Sequence, residues 1–124
     1  MNFSYRKLDA YQLAREYVKY IYSLLRKFPR EENYALCDQL RRSSVSIPSN
    51  IAEGVGRFSR KEQLHFLEIA FGSLNESMCQ MELAFDLSYI NEEELREIEN
   101  KVSKLSRILS GWRRKLQEYI NEQN

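Results

Sequence analysis

The chain has 124 residues and a mass of 14.8 kDa, enough for one domain to bury a core without disulfide or metal support. Nineteen Lys and Arg nearly balance eighteen Asp and Glu, so a polyanion partner would have to be met by a local patch, not by overall charge. The opening MNFSYRKLDA lacks the apolar run of a signal peptide. No stretch approaches the roughly 20 apolar residues that span a bilayer, and the sequence predicts a cytoplasmic protein with no membrane partner.

From the N-terminus, the first apolar stripe is Tyr11, Ala14, Val18, Ile21, Leu25 and Phe28, stepping by three and four as one face of a helix does. Asp9 and Gln12 have capping-box spacing, and Pro29 ends the segment, so a helix is predicted over residues 9 to 28. Leu13, Tyr17, Tyr20 and Leu24 form a second apolar line beside the first. One bundle does not easily bury both, which favours self-assembly, as do eight tyrosines of the kind enriched at interfaces.

The second helix, residues 32 to 56, carries Leu36, Leu40, Ile47, Ile51 and Val55 in the same register through Pro48. Continuity of the pattern predicts a helix kinked near Pro48, with Ser43, Ser44 and Ser46 offering hydroxyls beside the break; a new helix beginning at Pro48 is the alternative. Gly54 and Gly56 are expected to stop the helix through a left-handed C-terminal residue. As a phosphate cradle, GVG is weak, because no strand precedes it and no Gly-Lys-Ser/Thr ending follows.

Ser59-Arg-Lys-Glu62 reads as a capping box for a third helix over residues 60 to 88, striped by Leu64, Leu67, Phe71, Leu74, Met78, Met81 and Phe85. Asn91-Glu-Glu-Glu94 opens a fourth helix over residues 92 to 120, striped by Leu95, Ile98, Val102, Leu105, Leu109, Trp112, Leu116 and Tyr119. Short connections leave antiparallel neighbours, so the predicted fold is all-α, a single antiparallel up-down four-helix bundle over residues 1 to 124.

Function is less legible. Glu62-Gln-Leu-His65 has the spacing of a di-metal bundle motif, but His65 is the only histidine, so a second such motif is missing from the chain. The same solitary histidine limits Ser-His or Cys-His chemistry, and Cys37 and Cys79 sit in apolar-patterned segments as reduced, packed thiols. The sequence therefore predicts no enzyme, no cofactor and no metal. Ser46, Asn50, Glu53, Ser73 and Glu76 are candidates for a polar network that sets helix register, with Arg41 or Arg42 as partners. Residues 63 to 100 hold nine acids against Arg96, whereas Arg41, Arg42, Arg57, Arg60 and Lys61 gather around the second helix and the following turn. Two functions follow: an RNA- or DNA-binding accessory protein using those five bases, or a protein-interaction scaffold without nucleic-acid binding that presents the acidic third helix or a ring surface, with Arg41 and Arg42 pairing internally with Glu53 or Glu76.

The runs Gln39-Leu40-Arg41-Arg42, Ser46-Ile47-Pro48, Asn50-Ile51-Ala52-Glu53-Gly54, Ile69-Ala70, Gly72-Ser73-Leu74 and Glu76 resemble the bacterial four-helix bundle family of 23S rRNA intervening sequence proteins, over nearly the whole chain. The resemblance implies a cytoplasmic bacterial bundle that forms a homo-oligomeric ring, often a pentamer. More distantly, the chain looks related to the nucleic-acid-binding accessory protein of diversity-generating retroelements.

Overall fold

In a computed structural model that describes residues 3–123, the chain forms four helices: α1 (Asp9–Leu25), α2 (Leu36–Val55), α3 (Arg60–Asp86) and α4 (Glu92–Glu122). Short 3₁₀ turns precede α1 (Ser4–Lys7) and α2 (Arg30–Glu32). Each helix packs on its two neighbours around a square, α1 on α2 and α4, α3 on α2 and α4, with the α2–α3 face the most extensive. This is the antiparallel four-helix bundle expected from the stripes.

The core runs along the bundle axis and contains Ala14, Ile21, Leu40, Ile47, Ile51, Leu67, Leu74, Met81, Ile98, Leu105 and Leu109, all essentially inaccessible to solvent. The second apolar line of α1 belongs to it. Tyr17 and Leu24 are buried, and Leu13 and Tyr20 are half-buried against the same cluster. Much of the wide apolar face of α1 is thus covered within one chain, with Leu13 and Tyr20 left half-buried at its edge.

Tyr17 crosses the bundle diagonal, placing its hydroxyl 2.7 Å from Ser77 Oγ, while Ser77 Oγ lies 2.8 Å from the Leu74 carbonyl. Burial raises the Tyr17 phenol to about 12, with the Ser77 contact opposing. Beside it, Ser43 Oγ donates to Gln80 Oε1 at 2.7 Å and Gln80 Nε2 donates to Gln39 Oε1 at 3.3 Å, tying α2 to α3. Among the described residues no buried side-chain nitrogen or oxygen lacks a partner.

Several helix ends differ from the sequence reading. Asp9 does not cap α1; its N-cap is Leu8, and Gln12 Nε2 donates instead to the Arg6 carbonyl at 2.8 Å. α1 stops at Leu25, before Pro29, and α2 begins only at Leu36 because Arg30–Glu32 form a tight turn. Glu32 serves α2 from outside that helix, accepting the Leu36 amide at 3.4 Å and the Tyr89 hydroxyl at 2.7 Å. Ser59 Oγ accepts the Glu62 amide at 3.0 Å, and Asn91 with Glu94 completes a full capping box.

α2 continues without interruption through Pro48, so no new helix begins there. Neither Gly54 nor Gly56 is left-handed. Gly56 is the right-handed C-cap, with φ −79 and ψ −5, whereas Gly54 lies inside α2 for a packing reason. A Cβ there would meet Phe66 Cβ at 3.1 Å and the Gln63 carbonyl at 3.4 Å, so the absent side chain is what lets α2 and α3 approach. The left-handed residue is Ser88, φ 66, after α3. Tyr89 N donates to the Ala84 carbonyl and Ser88 N to that of Phe85, both at 2.9 Å, which is the Schellman pattern.

Candidate nucleic-acid interface

The five bases around α2 and the following turn do not form one patch. Fourteen residues of helix follow Arg41 before α2 ends at Val55, about 21 Å at 1.5 Å per residue, and place Arg41 and Arg57 at opposite ends of the bundle. Near the start of α2, Arg41 donates through Nη1 to the Asn33 carbonyl at 3.1 Å and through Nη2 to Asn33 Oδ1 at 2.6 Å. Arg42, mostly exposed, pairs with Asp38 at 3.2 Å. Neither arginine meets Glu53 or Glu76, because each finds an acceptor on or beside its own helix.

At the other end, Arg57 is a packing residue. It pairs with Glu53, and its guanidinium lies 4.6 Å from the centre of the Phe66 ring. Its carbonyl accepts Gln63 Nε2 at 2.9 Å, which together with the Ser59 cap fixes the turn between α2 and α3. Arg60 and Lys61 lie exposed in the first turn of α3, and Lys61 has no ion-pair partner among the described residues. The Arg60 guanidinium sits 4.9 Å from the centre of the Tyr119 ring, contributed by the last turns of α4.

Between that turn and α4 lies an open cleft of about 390 Å³ lined by Phe58, Ser59, Arg60, Lys61, Tyr119, Ile120 and Gln123, with no carboxylate in its wall. Phe58 is fully exposed (101%) and Tyr119 is 44% exposed. Two aromatic rings and two cations therefore share one surface on a turn held by hydrogen bonds. Phe58 was not distinguished by any periodicity, and its signal was only its position: a lone aromatic in a turn, between Arg57 and Ser59-Arg60-Lys61. Tyr119, which the stripe of α4 assigned to the core, lies on the cleft wall.

The five residues proposed for a polar network divide. Ser73 Oγ donates to Ser46 Oγ at 2.8 Å, and Asn50 Nδ2 donates to Ser46 Oγ at 2.9 Å and to its carbonyl at 2.8 Å. Glu53 and Glu76 are exposed and stand outside that group, Glu53 because it pairs with Arg57. The buried side-chain hydrogen bonds instead form two groups, Tyr17 with Ser77 and Ser43 with Gln80, the second reaching exposed Gln39. Their polar residues lie within apolar-looking segments, so periodicity did not mark them.

His65 is exposed beside Phe66, and among the described residues no three His, Cys, Asp or Glu side chains are gathered as a metal would require. Cys37 is buried as expected, with its thiol pushed up by burial, whereas Cys79 is exposed on α3. No helix among the described residues is long and apolar enough to cross a membrane.

No curated protein matches the chain. Among solved structures, the chain is similar to a protein with unknown function from the S23 ribosomal protein family of Bacteroides thetaiotaomicron. Identity is 26%, 84% of this chain and 97% of that one are covered, and the TM-score is 0.77. The family model of the 23S rRNA-intervening sequence proteins matches residues 6–111, from the turn before α1 to the second half of α4. The chain belongs to the 23S rRNA-intervening sequence protein family.

Proposed function

We propose that this protein is a non-enzymatic, cytoplasmic accessory factor that binds RNA or DNA through the end of the bundle carrying Phe58, Arg60, Lys61 and Tyr119. The observation that carries this reading is the fully exposed Phe58 ring on a hydrogen-bonded turn beside two cations. Unpaired bases stack on aromatic rings whatever their sequence, and cations beside the ring take the phosphates. A fixed turn loses little conformational freedom when it binds. The site therefore favours single strands and loops over duplex and reads shape and backbone, not sequence. In the C-terminal half of α4, Arg114 and Lys115 extend the positive surface from the same end, while Arg113 pairs with Glu68.

Self-assembly is part of the proposal, a pentameric ring being the form the family resemblance implies. Its support is the outward face of α3, where Ile69, Gly72, Cys79, Leu83 and Leu87 recur at helical spacing and are exposed, and Gly72 has open space around it. A ring would repeat a modest basic cleft and raise its avidity. Leu83→Glu should reduce the mass measured by light scattering while the helical circular dichroism stays intact.

A fluorescence-anisotropy titration against structured RNA, single-stranded DNA and duplex DNA tests the binding reading. Saturable, salt-sensitive binding that Arg60→Ala with Lys61→Ala weakens supports it. No binding at low salt sinks it and favours the protein-scaffold alternative, in which the exposed α3 face serves a protein partner.

A further inference from the structure

The opposite end of the bundle carries a second basic cleft, unrelated to the turn between α2 and α3. It has a volume of about 520 Å³ and lies where the end of α1, the connection to α2 and the first turns of α2 meet. This is the size of a small-molecule site. Arg26, Arg30 and Arg41 line it and no carboxylate does. Arg26 and Arg30 are exposed and have no ion-pair partner among the described residues.

Arg41 is held differently. Both of its terminal nitrogens donate to Asn33, so the guanidinium is oriented before any ligand arrives. Its nearest acid, Asp38, is 3.9 Å away and pairs more closely with Arg42, at 3.2 Å. The remaining wall is flat and apolar: Tyr22 is 40% exposed, and Phe28 is fixed against Tyr89 with ring centres 5.2 Å apart. Cys37, in the first turn of α2, also lines the cleft.

Three guanidiniums, two of them without an ion-pair partner among the described residues and Arg41 only distantly paired with Asp38, suit a compact oxyanion with several acceptor oxygens, since the planar fork donates in pairs to phosphate. Tyr22 and the edge of Phe28 suit a flat ring attached to that anion. We propose that this cleft binds a nucleoside monophosphate, the phosphate held by Arg26, Arg30 and Arg41 and the base lying against Tyr22. Phosphate alone lacks the ring contact, and a nucleoside alone leaves the arginines unanswered.

The test is calorimetric titration of the full chain with adenosine monophosphate, and with inorganic phosphate and adenosine as partial ligands. The nucleotide should bind at least about tenfold more tightly than either part, and Arg26→Ala with Arg30→Ala should weaken it by a further factor of about ten or more. Both residues are exposed, so the double variant should keep its circular dichroism and melting temperature. Location is read separately with Tyr22→Ala, at a side chain 40% exposed on the cleft wall, which should weaken the nucleotide while leaving phosphate binding unchanged. Nucleotide binding no tighter than that of phosphate or adenosine, equal binding by the double variant, or undiminished nucleotide binding by Tyr22→Ala would each overturn the proposal.

Discussion

At the scale of single residues, two positions tie sequence to packing with opposite legibility. Gly54 is visible in the sequence as a breaker near a helix end, but its reason is the close approach of α3, which no local pattern encodes. Gly54→Ala gains about 1 kcal/mol of helix propensity. It also forces a methyl against Phe66 Cβ, an atom too near the backbone to swing aside, at an overpacking cost of about 1–3 kcal/mol. The expected outcome in urea denaturation is a net loss of up to about 2 kcal/mol. Tyr17 has the reverse history: its ring was visible, its role as a diagonal strut was not. Because its phenol is raised from 10.0 to about 12, the unfolded chain loses that proton first, and the folded state holds more protons between those values. The stabilisation is complete below pH 10 and is lost as pH rises through about 12, with a total of about 3 kcal/mol. Tyr20 and Tyr89 are also raised and add a smaller slope of the same sign, Tyr20 chiefly by desolvation and Tyr89 chiefly by its bond to Glu32. Tyr17→Phe should cost about 1 kcal/mol at neutral pH, since Ser77 keeps its bond to the Leu74 carbonyl, and should flatten the alkaline limb of a urea-midpoint profile.

At the scale of elements, the stripes identified all four helices because an apolar face at three-and-four spacing has no other use in so hairpin-poor a chain. The ends were harder. Asn91-Glu94 was readable because both partners of the capping box lie within four residues, and the structure forms both hydrogen bonds. Asp9-Gln12 has the same local spacing, yet Gln12 is drawn to the Arg6 carbonyl of the preceding turn, a contact outside the motif. The stop after α3 carries no glycine at all. Ser88 adopts φ 66 because the two Schellman bonds and the start of the next helix hold it there. Ser88→Gly removes the Cβ strain while retaining those bonds, and should raise stability by about 0.5–1 kcal/mol in a chemical-denaturation series. A result of no change or a loss would mean that the serine hydroxyl contributes more than the backbone strain costs.

At the scale of the whole molecule, the bundle order follows from short connections, whereas the surface does not follow from the sequence by any simple rule. Arg41, Arg42, Arg57, Arg60 and Lys61 fall within 21 positions of one another, but a straight helix carries proximity in sequence across the length of the molecule. Pairing then divides their roles: Arg57 is committed to Glu53 and Phe66, and Arg41 to Asn33. What remains at the α2–α3 end is Arg60, Lys61 and the two aromatics, one of which carried no periodic signal. Electrostatic attraction to the proposed nucleic acid belongs to this scale too, because each phosphate contact releases counterions and makes affinity fall with salt.

The most direct test of the account is the affinity of the Phe58→Ala variant for a labelled single-stranded RNA, measured beside the unaltered protein by anisotropy at low and physiological salt. Phe58 is fully exposed, so its loss should leave the melting temperature unchanged. Losing one stacked base should weaken binding by about 1–3 kcal/mol, roughly five- to 150-fold, with nearly the same salt slope because no cation has been removed. Equal affinity for the two proteins would contradict the account and show that the exposed ring is not where the strand lies.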